Sequence, residues 1–243
     1  MELIKTRGII LHQVKYSETS LIVKVYTELL GLQTYMAKGV RKKNASLKAA
    51  LFQPLNMIDL VANHNPKKDI QYIRDISSPY SYKSIPYDIK KSTIARFINE
   101  LLYKSIHEEI SNKELITYIC NALIALDEAP SAFSDFHLVF AMQLTSHLGF
   151  YPHGRYSSQD KFFDIMEGMF KPSLPDHTNY LEGIACQYFD RIINPENSST
   201  YFFDMPLGIK KLLLEKIIDY YRLHIQVFGN IRSHLVLEEV LHG

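Results

Sequence analysis

The residues best suited to chemistry in this sequence are a group of cations that begins at Lys38. No aspartate or glutamate occurs anywhere from Leu29 to Ile58, so the positive field of these cations is not cancelled locally. Such a field favours binding to a phosphate backbone, because the bound cations release counterions from it. The segment predicts a polyanion as ligand. Five cations fall within eleven residues: Lys38, Arg41, Lys42, Lys43 and Lys48.

Aromatic residues close to these cations could stack on unpaired bases, an interaction worth about 1–3 kcal/mol per base. The candidates are Tyr16, Tyr26, Tyr35 and Phe52, with Tyr26 and Tyr35 preferred, and Lys24 lies on the same predicted strand as Tyr26. A small barrel also needs bulky side chains inside it, so a place in the core is the competing interpretation for each tyrosine. No base-reading helix and no RNP motif accompanies them, which predicts binding driven by shape and charge.

Motifs of the common catalytic classes are absent from the sequence. There is no GxxxxGK[ST] or GxGxxG phosphate loop, no HExxH zinc site and no GxSxG nucleophile turn. His107 and Glu108 lack the second histidine that a metal motif needs four residues after the first. Cys120 and Cys186 are too few for a disulfide framework. We expect no catalytic residue, no cofactor and no metal. Three further histidines fit no standard zinc spacing: His137, His147 and His153.

Composition and charge indicate a folded protein with two dissimilar parts. Of the 243 residues, 47% are hydrophobic and 22% are charged, as in an ordinary globular protein. No apolar run approaches the roughly 20 residues of a membrane span, and the first residues lack a secretory signal, so we expect a cytoplasmic protein. Residues 1–80 carry 12 lysines and arginines against 6 acids, whereas the rest of the chain carries 15 against 20. Uneven surface charge without a partner is the preferred explanation of this imbalance taken alone, and a polyanion bound by the basic part is the alternative.

Alternating hydrophobicity predicts five short strands in the first eighty residues. Leu21, Val23 and Val25 share one face of the second strand, and Gly31 can adopt the positive φ of the turn that follows. Five strands of this length fit a small closed barrel, of which the OB-fold is the commonest kind. The predicted strands are 7–14, 19–28, 33–40, 55–61 and 70–76.

After Pro79 and Pro86 the apolar period changes from two to 3.6, which indicates helices. We therefore expect an α+β fold, with an OB-fold domain at 1–80 and a helical domain at 81–243. The segment at about 150–176 is predicted to be an irregular insert. A capping box at Ser111 opens the second helix, and the third stops at Gly149. The predicted helices are 94–106, 111–126, 136–148, 177–193, 204–225 and 234–241.

The order of several short motifs resembles the RecO family of DNA repair and recombination mediators. Each motif is weak, but together they span the chain in the order of the family. The basic pair after a glycine at the end of the third strand is the most distinctive of them. The matching segments are 6–11 with 16–21, 31–32 with 37–42, 52–55, 148–152, and 230–233 with Leu237.

The resemblance implies a mediator without a chemical step. Members bind single- and double-stranded DNA, anneal complementary strands, bind RecR and the tail of single-strand DNA-binding protein, and help load RecA. Many members hold zinc with two cysteine pairs after the "LG..P" motif. In this sequence the four cysteines are missing from that place, which begins at His153, so the resemblance implies a member without the zinc.

Two other functions fit parts of the sequence. An RNA-binding OB-fold adaptor would use the same basic segment, and competition between single-stranded DNA and structured RNA would distinguish it. A hydrolase with an unrecognised site between His147 and Asp164 is the other. For a protein partner with an acidic tail, we expect a cation beside an apolar pocket in the helical domain. The candidates are Arg222, Tyr221 and Arg232.

Overall fold

The computed structural model describes residues 2–40, 49–107, 109–131, 133–195 and 203–242. Its first part consists of five strands and a short 3-10 turn at Ala49–Phe52. All five predicted strands are present, although the first begins five residues before the predicted start. The strands are β1 (Glu2–Lys15), β2 (Leu21–Thr27), β3 (Gly31–Ala37), β4 (Met57–His64) and β5 (Ile70–Ser77).

The five strands close into a barrel in the order β1-β2-β3-β5-β4. The long strand β1 pairs with β2 along its second half and with β4 along its first half, both antiparallel. A parallel pairing of β3 with β5 supplies the remaining side. Closure pairs each of the five strands on both sides, which protects their edges from pairing with another chain. The predicted OB-fold architecture is confirmed.

The barrel interior is filled by the residues that alternate along each strand. Leu21, Val23 and Val25 are at most 3% exposed, as their period of two predicts. Tyr35 and Phe52 are fully buried in the same core. Complete burial of an apolar side chain such as Phe52 contributes roughly 1.5–3 kcal/mol, so the interior contributes strongly to the stability of the barrel.

Strand β5 alternates regularly only in its first half. The sequence pattern predicts Ile70, Tyr72, Arg74 and Ile76 on one side, but Ile76 lies in the core together with Ile73. The register shifts in this stretch, because Val61 pairs with Asp75 whereas Ala62 pairs with Ile73. An extra residue in one strand reverses the direction of every side chain after it. The prediction was therefore wrong for Ile76.

Six helices follow the barrel within the described residues. The predicted stop of α3 at Gly149 is confirmed, since this residue has a φ of 86° and its N–H bonds to Thr145 O. The second helix is capped by Asn112 rather than Ser111: Asn112 Oδ1 accepts the N–H of Leu115 at 2.9 Å. The helices are α1 (Ile89–Ser105), α2 (Lys113–Glu128), α3 (Phe136–Leu148), α4 (Gly183–Ile193), α5 (Leu207–His224) and α6 (Ser233–His242).

A small antiparallel sheet occupies the segment predicted to be irregular. Strands β6 (Phe162–Asp164), β7 (Met169–Lys171) and β8 (Tyr180–Leu181) pair in the order β7-β6-β8. Strand β8 lies inside the predicted helix 177–193, and the helix begins only at Gly183. Pairing of Asp164 with Tyr180 keeps this stretch extended, which is a long-range contact that local periodicity does not report.

The chain forms two compact units. One contains Met1–Lys83 and Ile106–Ala125, so it comprises the barrel and most of α2. The other contains Ser84–Ser105 and Leu126–Gly243. Within the second unit, the buried Lys91 donates hydrogen bonds to Ser84 Oγ, Asp127 O and Ala129 O at 2.6–2.9 Å. These acceptors satisfy its three ammonium protons. A domain boundary near residue 80 stays a prediction.

In the barrel unit, Gly31 allows the β2–β3 turn to approach residue 110 closely. Its φ is 63°, and a Cβ at this position would lie 2.6 Å from Ile110 O and 2.7 Å from Ile110 N. Backbone atoms cannot move aside as a flexible side chain can. Ser111 Oγ donates to Glu28 O at 2.7 Å and holds the same two segments together.

We predict that Gly31→Ala lowers the free energy of unfolding by about 2 kcal/mol or more, because it combines a positive φ with a backbone clash. Denaturant unfolding checks the value. Gly208→Ala is the matched control, since its Cβ would meet no heavy atom of a described residue outside its own turn. That change should be neutral or stabilising by about 0.5 kcal/mol. Equal effects of the two substitutions would contradict the close approach.

Candidate nucleic-acid interface

The outer surface of β2, β3 and β5 is the first candidate site. Val23, Tyr35 and Ile73 point into the core, so the residues that alternate with them point outward. Direct pairs align Ile22 with Met36 and Met36 with Tyr72 across the three strands. This is the side on which OB-folds bind oligonucleotides. We call it the strand face; it is formed by Ile22, Lys24, Thr34, Met36, Ile70 and Tyr72.

Two loops flank the strand face. Residues 16–20 connect β1 to β2, and residues 65–69 connect β4 to β5, with Lys67 and Lys68 exposed. The second loop is held by the buried side chain of Gln71, which accepts the N–H of Asn65 at 2.8 Å. The Gln71 amide also donates to Asn65 O and Lys68 O. The loop therefore presents its two lysines on a fixed backbone, a feature that the sequence analysis missed.

The predicted cations are only partly within the described residues. Lys24 lies half-buried on the strand face, opposite Thr34. Lys38 is exposed just beyond β3, and its Nζ lies 4.7 Å from the centroid of the Tyr72 ring. The other members of the predicted cation group lie outside the described residues. They are Arg41, Lys42, Lys43 and Lys48.

The two tyrosines preferred as stacking residues are buried, Tyr35 in the barrel core and Tyr26 on the other side of its strand. Tyr26 is 2% exposed and Tyr35 is fully buried, so neither ring offers a face to a base in this structure. Burial raises the pKa of Tyr35 well above its ordinary value. Tyr16, another of the candidates, is exposed in the β1–β2 loop, and Tyr72, which was not a candidate, is exposed on β5. Alternation with Ile73 is the sequence signal that could have identified Tyr72.

Two neighbouring groups modify the charge of the barrel. Arg7 donates from Nε and Nη2 to the two carboxylate oxygens of Glu28, each at 3.0 Å. These hydrogen bonds hold the pKa of Glu28 below its ordinary value. His12 pairs across the strands with Lys24. Burial, together with the charge of Lys24, lowers the pKa of His12, so the imidazole is neutral at pH 7. The charge of Arg7 is thus paired with that of Glu28 within the barrel.

The helical unit places the three predicted partner residues in different settings. Tyr221 is fully buried and donates its hydroxyl to Ala141 O at 2.6 Å. Arg222 is exposed and pairs with Asp219 on the same helix at 2.9 Å. Arg232 is exposed beside a cavity of about 350 Å³, and its backbone N–H bonds to the Glu100 carboxylate. The cavity is lined by Arg96, Asn99, Glu100, Arg232, Ser233 and Val236.

Around β6, a buried carboxylate is the centre of the small sheet. The Asp164 side chain is 2% exposed, and its Oδ1 accepts the N–H groups of Met166 and Glu167 at 2.9 and 3.1 Å. Lys171 Nζ lies 3.1 Å from Oδ2, and His177 Nε2 lies 3.4 Å from Oδ1. Burial alone would raise the pKa of Asp164, but these hydrogen bonds and charges outweigh it and lower the pKa.

The same place does not fit a zinc site. A structural zinc ion needs four thiolate, imidazole or carboxylate ligands in a tetrahedron, and a catalytic zinc ion needs three of them. Here the lone pairs of Asp164 are already used by Lys171 and by backbone N–H groups. Among the residues that the structure describes, no group of three or more His, Cys, Asp and Glu side chains could hold a metal ion. Phe163 instead packs against Phe189 and Phe170, with ring centroids 4.4 and 5.1 Å apart.

The five-stranded closed barrel and the helices after it define an OB-fold protein with a helical second part. None of the helices in the described residues is long and apolar enough to cross a membrane. Comparison with family models shows to which family of OB-fold proteins the chain belongs. The model for "Recombination protein O N terminal" matches residues 1–82, and that for "Recombination protein O C terminal" matches residues 86–227. The chain therefore belongs to the RecO family.

Curated relatives agree with this assignment. A protein of Bacteroides fragilis named "DNA repair protein RecO" is 36% identical over 97% of this chain and 98% of its own length. Proteins of the same name from Phocaeicola vulgatus and Flavobacterium psychrophilum are 34% and 35% identical, over 97% and 98% of this chain and 98% of their own lengths. The resemblance deduced from the short motifs is confirmed.

We predict that Asp164→Asn lowers the free energy of unfolding at neutral pH by about 2 kcal/mol, because it leaves Lys171 and the neighbouring N–H groups without their charged acceptor. The pKa of Asp164 is lower in the folded state than its ordinary value of 3.8. Its stabilisation is therefore complete above that value and is lost as the pH falls through the folded pKa. Thermal unfolding between pH 7 and acid checks both.

Glu182→Gln is the control for this prediction, since Glu182 is exposed next to the same sheet and its side chain makes no capping hydrogen bond. A chelator should leave the melting temperature of the wild-type protein unchanged, and elemental analysis should find well below one zinc per chain. Stoichiometric zinc that the chelator removes with a loss of stability would refute this account of the sheet.

Proposed function

We propose that this protein mediates DNA repair by binding single- and double-stranded DNA, annealing complementary strands and helping to load a recombinase onto DNA coated by single-strand binding protein. Membership of the RecO family supports the proposal, since the curated relatives are named DNA repair proteins. The observation that carries it is the strand face, where Lys24 and the exposed ring of Tyr72, with Lys38 close to that ring, lie on the binding side of an OB-fold. No chemical step is required of the protein.

Charge explains how such a barrel would promote annealing. Two complementary strands repel each other through their phosphates, and cations that neutralise both backbones lower this repulsion. Lys67 and Lys68 on the fixed loop add to the cations at Lys38 to Lys48. Contacts to phosphates leave the base edges free to pair. Structured RNA would meet the same cations, so an RNA-binding adaptor is the alternative that a DNA–RNA competition tests.

We predict that changing Arg41, Lys42 and Lys43 to alanine weakens DNA binding almost equally for all sequences. The slope of log affinity against log salt should shrink by about one unit per lost phosphate contact. The variant should also anneal strands coated by single-strand binding protein more slowly. A charge-matched control removes three exposed cations elsewhere: Lys90, Lys161 and Lys211.

Fluorescence anisotropy at several salt concentrations measures the slope, and a strand-annealing assay measures the second effect. The control should keep the wild-type slope. A folded triple variant with an unchanged slope would show that the predicted cation group does not contact phosphates. Wild-type protein that preferred structured RNA over single-stranded DNA would favour the adaptor function.

The proposed protein partners are RecR, the tail of single-strand DNA-binding protein and, indirectly, RecA. We place the acidic tail on the helical unit, at one of the predicted residues Arg222, Tyr221 and Arg232. The contacts favour Arg232, because it is exposed beside a cavity that also contains Arg96. Arg222 is held by Asp219, and Tyr221 has no exposed surface. Two arginines can bind a terminal carboxylate with paired hydrogen bonds.

We predict that Arg232→Ala weakens binding of a labelled tail peptide to the full-length protein by roughly tenfold, the size expected for one charge-assisted hydrogen-bonded contact. Arg222→Ala is the matched control on a neighbouring helix and should change the affinity by less than about twofold. Peptide titrations followed by anisotropy measure both. A larger loss of affinity in Arg222→Ala than in Arg232→Ala would show that the peptide binds at the end of α5 instead.

A further inference from the structure

The exposed ring of Tyr72 is not explained by the packing of the barrel. Tyr72 is 39% exposed, whereas Tyr26 and Tyr35, the other tyrosines of the five described strands, are buried. It belongs to the cross-strand row of Ile22, Met36 and Tyr72, which continues to Asn63 on β4. Met36, its neighbour on β3, is 6% exposed. The ring is therefore the exposed apolar group of this row, next to a buried methionine, on the side where an OB-fold binds its ligand.

The group that lies next to the Tyr72 ring is the ammonium group of Lys38. Lys38 Nζ lies 4.7 Å from the ring centroid, which is within the range of a cation–π interaction. This lysine is exposed and is followed by Gly39, whose φ is 73°. Its long side chain can leave the ring without disturbing any strand. One aromatic surface and one movable cation are thus adjacent, and a nucleotide offers the complementary pair of groups.

We propose that Tyr72 is a stacking site for an unpaired DNA base, and that Lys38 moves from the ring to the adjoining phosphate when the base binds. This inference rests on the proposed function and makes Tyr72 the residue that distinguishes single-stranded from double-stranded DNA. Bases within a duplex are already stacked on each other, so only an unpaired base can cover the ring. Duplex DNA would engage the cations alone.

The sequence provides a direct way to observe this contact, because the chain contains no tryptophan. Tyr72→Trp creates a single indole on the strand face, and a base that stacks on an indole quenches its fluorescence. Titration with an oligothymidylate should quench the emission, with the same midpoint as binding measured by anisotropy. A duplex of equal length should bind with little quenching.

Leu29→Trp is the matched control. Leu29 is exposed in the β2–β3 turn of the same barrel and lies outside the strand face. Its indole should keep its emission when the oligonucleotide binds. Quenching of both indoles to the same extent would indicate a general effect of bound DNA and would overturn the assignment of a site to Tyr72.

Affinity measurements provide the second test. Tyr72→Ala should weaken single-strand binding by roughly tenfold and leave duplex binding unchanged, whereas Tyr72→Phe should keep the wild-type affinity because stacking needs the ring and not the hydroxyl. Lys38→Ala, made in the Tyr72→Trp protein, should lower the salt slope by about one unit and preserve the quenching.

The outcomes separate the inference from the proposed function. Single-strand binding that leaves the indole of the Tyr72→Trp protein unquenched, or that keeps full affinity in Tyr72→Ala, would overturn the stacking site and leave the proposed function standing. A wild-type protein that bound no DNA in the same assays would overturn both. Retained quenching in Lys38→Ala with an unchanged salt slope would overturn the movement of Lys38 to the phosphate.

Discussion

The parallel pairing between β3 and β5 is the contact on which the barrel depends. Only three residue pairs make it, from Thr34 with Ile70 to Met36 with Tyr72. Every other neighbouring pair of strands in the barrel is antiparallel. Without this contact β3 and β5 would both be open edges, and the core residues Tyr35 and Ile73 would face water. The same pairing brings Lys38 and Tyr72 together, although they are far apart in sequence. Stability and the candidate binding surface therefore have one common origin.

Much of the barrel could be predicted from the sequence, because strand periodicity is a local property. Val23 and Val25 are in the core as their alternation indicates. The stacking residues could not be chosen in the same way. Tyr26 alternates with those valines and yet is 2% exposed, so periodicity does not report whether the outer side of a strand is covered. Ile76 was misplaced because a register shift within β5 is specified by its pairing with β4.

The segment after α3 is a second case in which periodicity did not predict the contacts of individual residues. Its missing cysteines were readable from the sequence, but the groups that occupy their place were not. Asp164 meets Lys171 and His177 through two turns of a small sheet, and Phe163 meets Phe189 on a helix that follows. Hydrophobic periodicity carries no information about such contacts, since the strands involved are two or three residues long. The family resemblance was the stronger guide here.

The division of the chain into its two units has a consequence for the modularity of the protein. The chain leaves the barrel unit after residue 83 and returns to it for residues 106–125. On that return, Ser111 and residue 110 pack against the β2–β3 turn. The barrel itself is contiguous in sequence, but the compact unit that contains it is not. Fusion or expression of the first eighty residues alone would remove the segment that packs against the β2–β3 turn, so a stable barrel module has to include residues 106–125.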